Sequence, residues 1–385
     1  MSARYDVIVA GVGGMGSAAC LHLARRGRRV LGIERFGVPN TMGSSHGLTR
    51  IIRLAYFEDP AYVPLLRRAF ELWHELEDAY GRRLLHMTGC LDVGPGQGRV
   101  VTGALDSSRQ HDLKHELLDA ASLMRRFPAY RVPPDFAALF EPEGGFLLVE
   151  ECTLAHARAA REAGAEIHES ERVLEWRLAG GEVSVRTDQG EYRAARLILA
   201  AGAWNRTLLA DVDPGALQPE RQVVAWLRPS RPEHFAFGSF PVFVMESRQD
   251  LLYGFPIWGV PGFKLGRFHH RDEAVDPDTM QRDVEAEDIG LLRDLAARHF
   301  PEASGPALAM STCLFTNTPD EHFVIDRLPE APDVLLAGGF SGHGYKFCSV
   351  VGELLADLAD DKQPRYDINL FRFNRLNLGR RGAPA

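Results

Sequence analysis

No apolar stretch in these 385 residues approaches the 18 or more that a membrane-spanning helix needs. No block of basic residues stands out either. With a net charge of −8, nucleic acid is not an expected partner. Cysteine is sparse. Cys20, Cys90, Cys152, Cys313 and Cys348 form no CxxC pair, which argues against a zinc site or a disulfide scaffold and fits a reducing compartment. The N-terminal residues run straight into a strand pattern without a signal-peptide signature. A cytoplasmic protein with no membrane, metal or nucleic-acid partner is the expectation. What is present reads as globular: 45% hydrophobic and 25% charged, at a length that favours two domains.

Residues 5–10 (YDVIVA) are a short, apolar, β-branched run of the kind that forms a buried parallel strand. Gly11, Gly13, Gly14 and Gly16 follow in GVGGMG, a G-x-G-x-x-G pattern. The first glycine permits a tight turn, the second lets backbone approach a pyrophosphate, and the third lets helix and strand pack closely. A helix is expected next, ending at Arg25, Arg26 and Gly27. Basic residues suit its negative end and glycine suits the C′ position. Residues 29–33 predict a second strand. Glu34 closes it about 20 residues past the glycines, where an acid hydrogen-bonds a ribose hydroxyl. Taken alone, Glu34 is equally a solvated strand-end acid. Strand, glycines, helix, strand and acid in that order predict dinucleotide binding. They do not separate FAD from NAD.

Later segments tilt that choice. Residues 151–164 read as a helix, 166–173 as a strand, and 191–199 as paired polar and apolar strand runs ending in Ala201-Gly202-Ala203-Trp204. Small residues there let a bulky ligand approach the backbone. Residues 333–338 form another buried strand, running into a glycine-rich turn with Gly342 and Gly344, then an amphipathic helix over 347–358. Such turns present N–H groups to anions or polar ring edges; the alternative is an ordinary turn. A nucleotide domain that returns this late in the chain fits an FAD enzyme better than an NAD dehydrogenase.

GVGGMG with Glu34, GSSHGLTRIIR (43–53), YGFP (253–256), FKLG (263–266), Cys313 with TNTPDEH (316–322) and GFSGHGYKF (339–347) together resemble the monomeric sarcosine oxidase family of FAD amine oxidases. That family includes N-methyltryptophan and pipecolate oxidases. The resemblance spans the chain to about residue 374, and the Cys313 and Gly339 blocks are its specific parts. It implies an 8α-S-cysteinyl FAD at Cys313, although a lone cysteine among apolar residues is more often a small buried hydrophobe. It implies cofactor contacts from Val173, Gly202, Trp204, Gly342, Gly344 and Lys346. Arg53 and Lys346 would hold a substrate carboxylate. His46, Thr49 and Arg50 would lie near the flavin ring, with Lys264 on the face where oxygen is reduced. The implied reaction oxidises a secondary amino acid, sarcosine or a related N-methyl amino acid. The imine hydrolyses to amine and aldehyde, O2 becomes H2O2, and the enzyme is a monomer.

Residue chemistry suits these roles. A buried carboxylate needs cationic partners; Arg offers a planar fork and Lys a point charge. An ammonium stabilises the negative charge that develops as oxygen is reduced. Without the resemblance, Arg50 and Arg53 read as a basic helix face, and Lys264 as an outward residue on an alternating strand. Sarcosine-specific relatives carry histidine where this chain has Phe268, and often tyrosine where it has Phe315. An unbroken strand would put Lys264, Gly266, Phe268 and His270 on one face, with His269 opposite; a bulge near Gly266 would bring His269 back. Both phenylalanines make the pocket less polar and extend the expected substrates to larger N-methyl amino acids, pipecolate or proline.

The expected architecture is α/β (α+β) with two domains. Segments 1–83, 146–219 and 322–374 would form a Rossmann-type FAD domain. Segments 84–145 and 220–321 would form a substrate domain on a mostly antiparallel sheet, and 375–385 a flexible tail. Two other readings stay open: a dehydrogenase that passes electrons to a carrier, and a non-catalytic flavin-binding or tRNA-modifying protein. Lys264 and Cys313 count against the last.

Overall fold

The computed structural model describes residues 4–209 and 217–376. Val7 and Val9 pack into one core cluster, and Ile8 and Ala10 into another. Strand Arg4–Ala10 therefore lies in a sheet covered on both faces. Its parallel neighbours are Val30–Ile33 and Glu191–Leu199. The parallel run extends to Glu166–His168 on one side and Ala331–Gly338 on the other. Antiparallel strands Val173–Ala179, Glu182–Thr187 and Val324–Leu328 complete eight strands. Helix Gly14–Arg25 packs against Val149–Glu162 and Cys348–Ala359. The last approach is close: a Cβ on Gly352 would meet the Ala18 carbonyl carbon at 2.5 Å.

A second eight-stranded sheet runs in the order Ala307–Asn317, Gln218–Leu227, Phe263–Arg267, Leu251–Phe255, Val242–Glu246, Cys90–Pro95, Phe136–Glu141, Glu116–Asp119. Every pair is antiparallel except Val242–Glu246 with Cys90–Pro95. One face packs a phenylalanine-rich core of Phe240, Phe243, Phe263 and Phe300. A three-stranded sheet of Thr49–Ile52, Gly145–Leu148 and Leu85–Met87 stands beside these two. The α/β class and the mostly antiparallel second sheet are as expected.

Four expectations about elements change. The strand expected over 166–173 is two strands. Between them Ser170 has φ +57°, and the Ser170 and Glu171 N–H groups donate to the Phe36 and Glu34 carbonyls. The helix expected over 347–358 is present one residue later, as Cys348–Ala359, and is preceded by a 3₁₀ turn, Tyr345–Phe347, that was not expected. Arg50 is not on a helix face but on strand Thr49–Ile52, with Arg53 just beyond it. Residues 375 and 376, expected in a flexible tail, belong to the turn Phe373–Leu376, where Arg375 pairs with Asp320 at 2.8 Å. The rest of that tail lies outside the described residues. No helix among the described residues is long and apolar enough to cross a membrane.

Candidate active site

Strand Arg4–Ala10 ends at a cavity of about 1590 Å³, part of it open to solvent, lined by Gly11, Gly13 and Gly14. Gly11 has φ +91°, and a Cβ there would lie 2.6 Å from Ala201 Cα. Only glycine fits that conformation and that approach. Gly16 lines nothing; a Cβ on it would meet the Gly11 carbonyl oxygen, so its role is to let the helix start against the strand. The buried Glu34 lines the cavity and accepts N–H bonds from Val12 at 2.8 Å and Phe36 at 3.0 Å. A carboxylate has about four acceptor sites, so two remain for hydroxyl donors. Val173, Gly202 and Trp204 line the same cavity, as do Gly342 and Gly344. A Cβ on Gly14 would strike Cys348 Sγ at 2.6 Å, and one on Gly342 the Phe315 ring at 2.3 Å. The cradle and its donor set fit FAD. A helix N-terminus opens off glycines for the pyrophosphate, an acid stands where a ribose binds, and a second glycine turn faces the far end.

A smaller cavity of about 560 Å³, part of it open to solvent, shares Arg50, Phe315, Gly342 and Tyr345 with the first. Arg53 and Lys346 both line it and are both buried. Arg53 donates through one terminal nitrogen to both Glu58 oxygens, at 2.8 and 2.6 Å, and through the other to the Ala55 carbonyl at 2.7 Å. Its guanidinium lies 4.3 Å from the Tyr56 ring centre and 4.5 Å from that of Phe57. Lys346 Nζ donates to the His343 carbonyl at 2.5 Å and to Tyr56 Oη at 3.4 Å. Burial, reinforced by the Arg53 charge, lowers the Lys346 pKa to about 7. Burial pushes the Glu58 carboxyl up, but Arg53, His343 and Lys346 outweigh it and the net shift is downward. Arg50 and Glu58 are the other charged lining residues, and the remaining walls are mostly apolar or aromatic. Phe268 and Phe315 both line the cavity, with ring centres 5.7 Å apart.

Lys264, Thr49, His46 and Cys313 lie buried beside these cavities rather than on their walls. Lys264 Nζ donates to the Gly47 carbonyl at 2.6 Å, the Thr49 carbonyl at 3.0 Å and Thr49 Oγ1 at 2.9 Å. Burial, with Arg50 adding, pushes its pKa well down. Three oxygen acceptors oppose that by favouring the ammonium. Burial, then Arg50, lowers the His46 pKa to about 4, and its Nε2 has no partner. His46 is therefore neutral at ordinary pH. Arg50 donates to the carbonyls of Thr49 and Ser44. Cys313 sits opposite Gln222 on Ala307–Asn317, just before the cavity-lining run Leu314 to Thr316.

The sequence pattern of the FAD dependent oxidoreductase family, DAO, matches residues 6–358. The chain belongs to this family. A monomeric sarcosine oxidase of Streptomyces avermitilis is 42% identical over 388 residues, covering 98% of this chain and 99% of its own length. An N-methyl-L-tryptophan oxidase of Citrobacter koseri is 35% identical, covering 97% and 99%. Among solved structures NikD, described as an unusual amino acid oxidase essential for nikkomycin biosynthesis, superposes with a TM-score of 0.82 at 28% identity, covering 96% of this chain and 97% of its own. This FAD-dependent oxidoreductase is an amine oxidase of the sarcosine oxidase type.

Neither histidine after Phe268 reaches the oxidoreductase's cavities. Strand Phe263–Arg267 pairs with Leu251–Phe255 without a bulge and ends at Arg267. His269 then adopts φ +52° and is held by Glu220 at 2.8 Å and Glu321 at 2.9 Å. Its bonds to those two carboxylates raise its pKa to about 10. His270 is wholly buried against Asp288 at 2.9 Å, so it does not share the Lys264 face. Lys264 is not the outward residue that strand alternation alone allows.

Sequence reasoning missed three acids. Glu58 holds Arg53. Glu150 accepts the Gly47 and Leu48 N–H groups at 2.6 and 3.2 Å and so fixes Leu48 at φ +69°. Asp92 is wholly buried. A lone acid inside the apolar run Cys90-Leu91-Asp92-Val93 was the available signal for the last.

Proposed function

We propose that this protein oxidises a secondary amino acid, sarcosine or a related N-methyl amino acid, with O2, yielding amine, aldehyde and hydrogen peroxide. The observation that carries this is the presence of Arg53 and Lys346 together on the wall of a largely aromatic cavity that adjoins the FAD cradle. Bound FAD supplies the two-electron acceptor that amine oxidation needs. Arg53 and Lys346 take the substrate carboxylate, a planar fork and a point charge that together orient the N–CH bond. Tyr253, Phe255, Phe268 and Phe315 exclude water around that bond. Neutral His46, Thr49 and Arg50 brace the flavin edge, and Lys264 supplies positive charge where oxygen becomes anionic. Gly11, Gly13, Gly14, Gly16, Glu34, Val173, Gly202, Trp204, Gly342 and Gly344 form the cofactor cradle, and Cys313 carries it covalently through its 8α carbon. Segments 1–83, 146–219 and 322–374 make the flavin domain of a single-chain cytoplasmic enzyme.

Peroxide release tests the reading. Sarcosine, N-methylalanine, N-methylleucine, proline and pipecolate are compared with the matching amines that lack a carboxylate. An apolar pocket gains about 0.8 kcal/mol per buried methylene. At least one larger substrate should therefore come within about a hundredfold of sarcosine in kcat/KM, roughly 2.7 kcal/mol. Equal rates for the decarboxylated amines would overturn the carboxylate assignment. Dye reduction without peroxide would favour a dehydrogenase that uses a carrier.

A further inference from the structure

Asp92 sits on strand Cys90–Pro95, in register with Val244 on one side and Leu139 on the other. Its chain neighbours Leu91 and Val93 pack into the phenylalanine-rich core. Strand alternation turns Asp92 to the opposite face, alongside Val244, a wall residue of the smaller cavity. The side chain is wholly buried, and neither carboxylate oxygen has a hydrogen-bond partner. It is the only carboxylate among the described residues in that condition. A buried acid so placed is costly unless it stays protonated or serves a function.

The charges around it come from every element packed against it. Arg53 and Glu58 belong to the loop after Thr49–Ile52, Glu141 ends strand Phe136–Glu141, Lys346 comes from the turn Tyr345–Phe347, and the Cys90 thiol shares its strand. Arg53 exerts the strongest stabilising influence, yet its hydrogen bonds go to Glu58 and Ala55. Glu141 is committed to the Leu54 and Ala55 N–H groups, both at 2.6 Å. Burial, with Glu141 and Glu58, raises the Asp92 pKa to about 8 against the pull of Arg53 and Lys346. A substrate carboxylate arriving at Arg53 and Lys346 adds one more negative charge to a cluster that already holds three acids.

We propose that Asp92 sets the protonation state in which the Arg53–Lys346 pair accepts a substrate carboxylate: the carboxylate enters while Asp92 holds a proton, and ionised Asp92 repels it. This rests on the carboxylate assignment of Arg53 and Lys346 above. Asp92 is a positioning residue, acting through those two cations rather than touching the substrate. A carboxylate brought close favours the protonated form of an acid beside it, so binding above neutral pH is coupled to proton uptake.

Butanoate keeps the carboxylate and chain length of sarcosine with a methylene in place of nitrogen, and butanamide is its uncharged counterpart. Their binding to flavin-loaded enzyme is read from the flavin absorption spectrum, without turnover, between about pH 6 and pH 9. Butanoate affinity in the wild type should fall as pH rises through about 8. In Asp92→Asn the fall through about pH 8 should disappear, leaving only the earlier fall as Lys346 loses its proton at about pH 7. The variant should match the wild type near pH 6 and bind at least about fivefold tighter near pH 9. A pH-indicator dye should also report more proton uptake when the wild type binds butanoate near pH 8 than when Asp92→Asn does, where only Lys346 is left to take up a proton, and none with butanamide. Absence of uptake overturns the proposal even where the variant fails to fold. Equal wild-type affinity for butanoate and butanamide would refute the carboxylate site itself. Discrimination between them, with superimposable pH profiles for wild type and Asp92→Asn, would leave that site standing and refute the role of Asp92.

Discussion

Burial raises the pKa of the Cys313 thiol on balance, and the charges of Arg50 and Lys264 offset only part of that rise. Those cations favour the thiolate, the form that bonds carbon. Flavin should therefore stay with the polypeptide after acid precipitation of the wild type and pass into the supernatant for Cys313→Ala. Cys348 also lines the larger cavity, against the glycine turn, so Cys348→Ser is the control that keeps its colour. A colourless pellet from fully loaded wild type would rule the linkage out. At this scale the residues carried by motifs were legible: Gly11, Gly13, Gly14, Gly342, Gly344 and Glu34 line the larger cavity, while Arg53 and Lys346 line only the smaller one, Lys346 not reaching the cofactor cradle where it was also expected. Glu58 and Asp92 were not. Glu58 matters through its bonds to Arg53, made by a loop with no pattern to read, and Asp92 through a burial that depends on the register between Cys90–Pro95 and Val242–Glu246, far apart in the chain.

Lys264 shows what an element contributes. Strand Phe263–Arg267 aligns it with Trp226 on one neighbour and Phe255 on the other. The ammonium lies 5.3 Å and 4.3 Å from those ring centres, faces that attract a cation. Lys264→Met keeps the length and removes the charge. Flavin reoxidation by oxygen should slow at least about a hundredfold, roughly 2.7 kcal/mol, while reduction by substrate changes little. Equal reoxidation rates in stopped flow would contradict the role. Long periodic elements were legible from their pattern; short ones were not. Thr49–Ile52 has too few residues to show a period and exists through pairing with Gly145–Leu148. His270 leaves the expected face because Arg267 donates to the His269 and His270 carbonyls, at 2.7 and 2.6 Å, turning the chain away.

In the whole molecule, the parallel sheet, the antiparallel sheet and the small three-stranded sheet meet around the two cavities. The sheet classes could be read from apolar runs and alternation. The meeting itself could not, because it depends on contacts between segments hundreds of residues apart, such as the Trp73 indole donating to the Lys346 carbonyl at 2.9 Å.

The chain has only four lysines: Lys114, Lys264, Lys346 and Lys362. The two at the cavities are buried, and the other two are exposed, one after helix Arg99–Gln110 and one after Cys348–Ala359. An acylating ester in water reaches exposed amines first. Mass spectrometry after mild acylation should find Lys114 and Lys362 modified and Lys264 and Lys346 intact, with peroxide release unchanged. Loss of turnover while only the exposed pair is modified would contradict that. Coupled through these two side chains to a solid support, the enzyme should stay active, because the buried lysines at the two cavities are not the amines available for attachment.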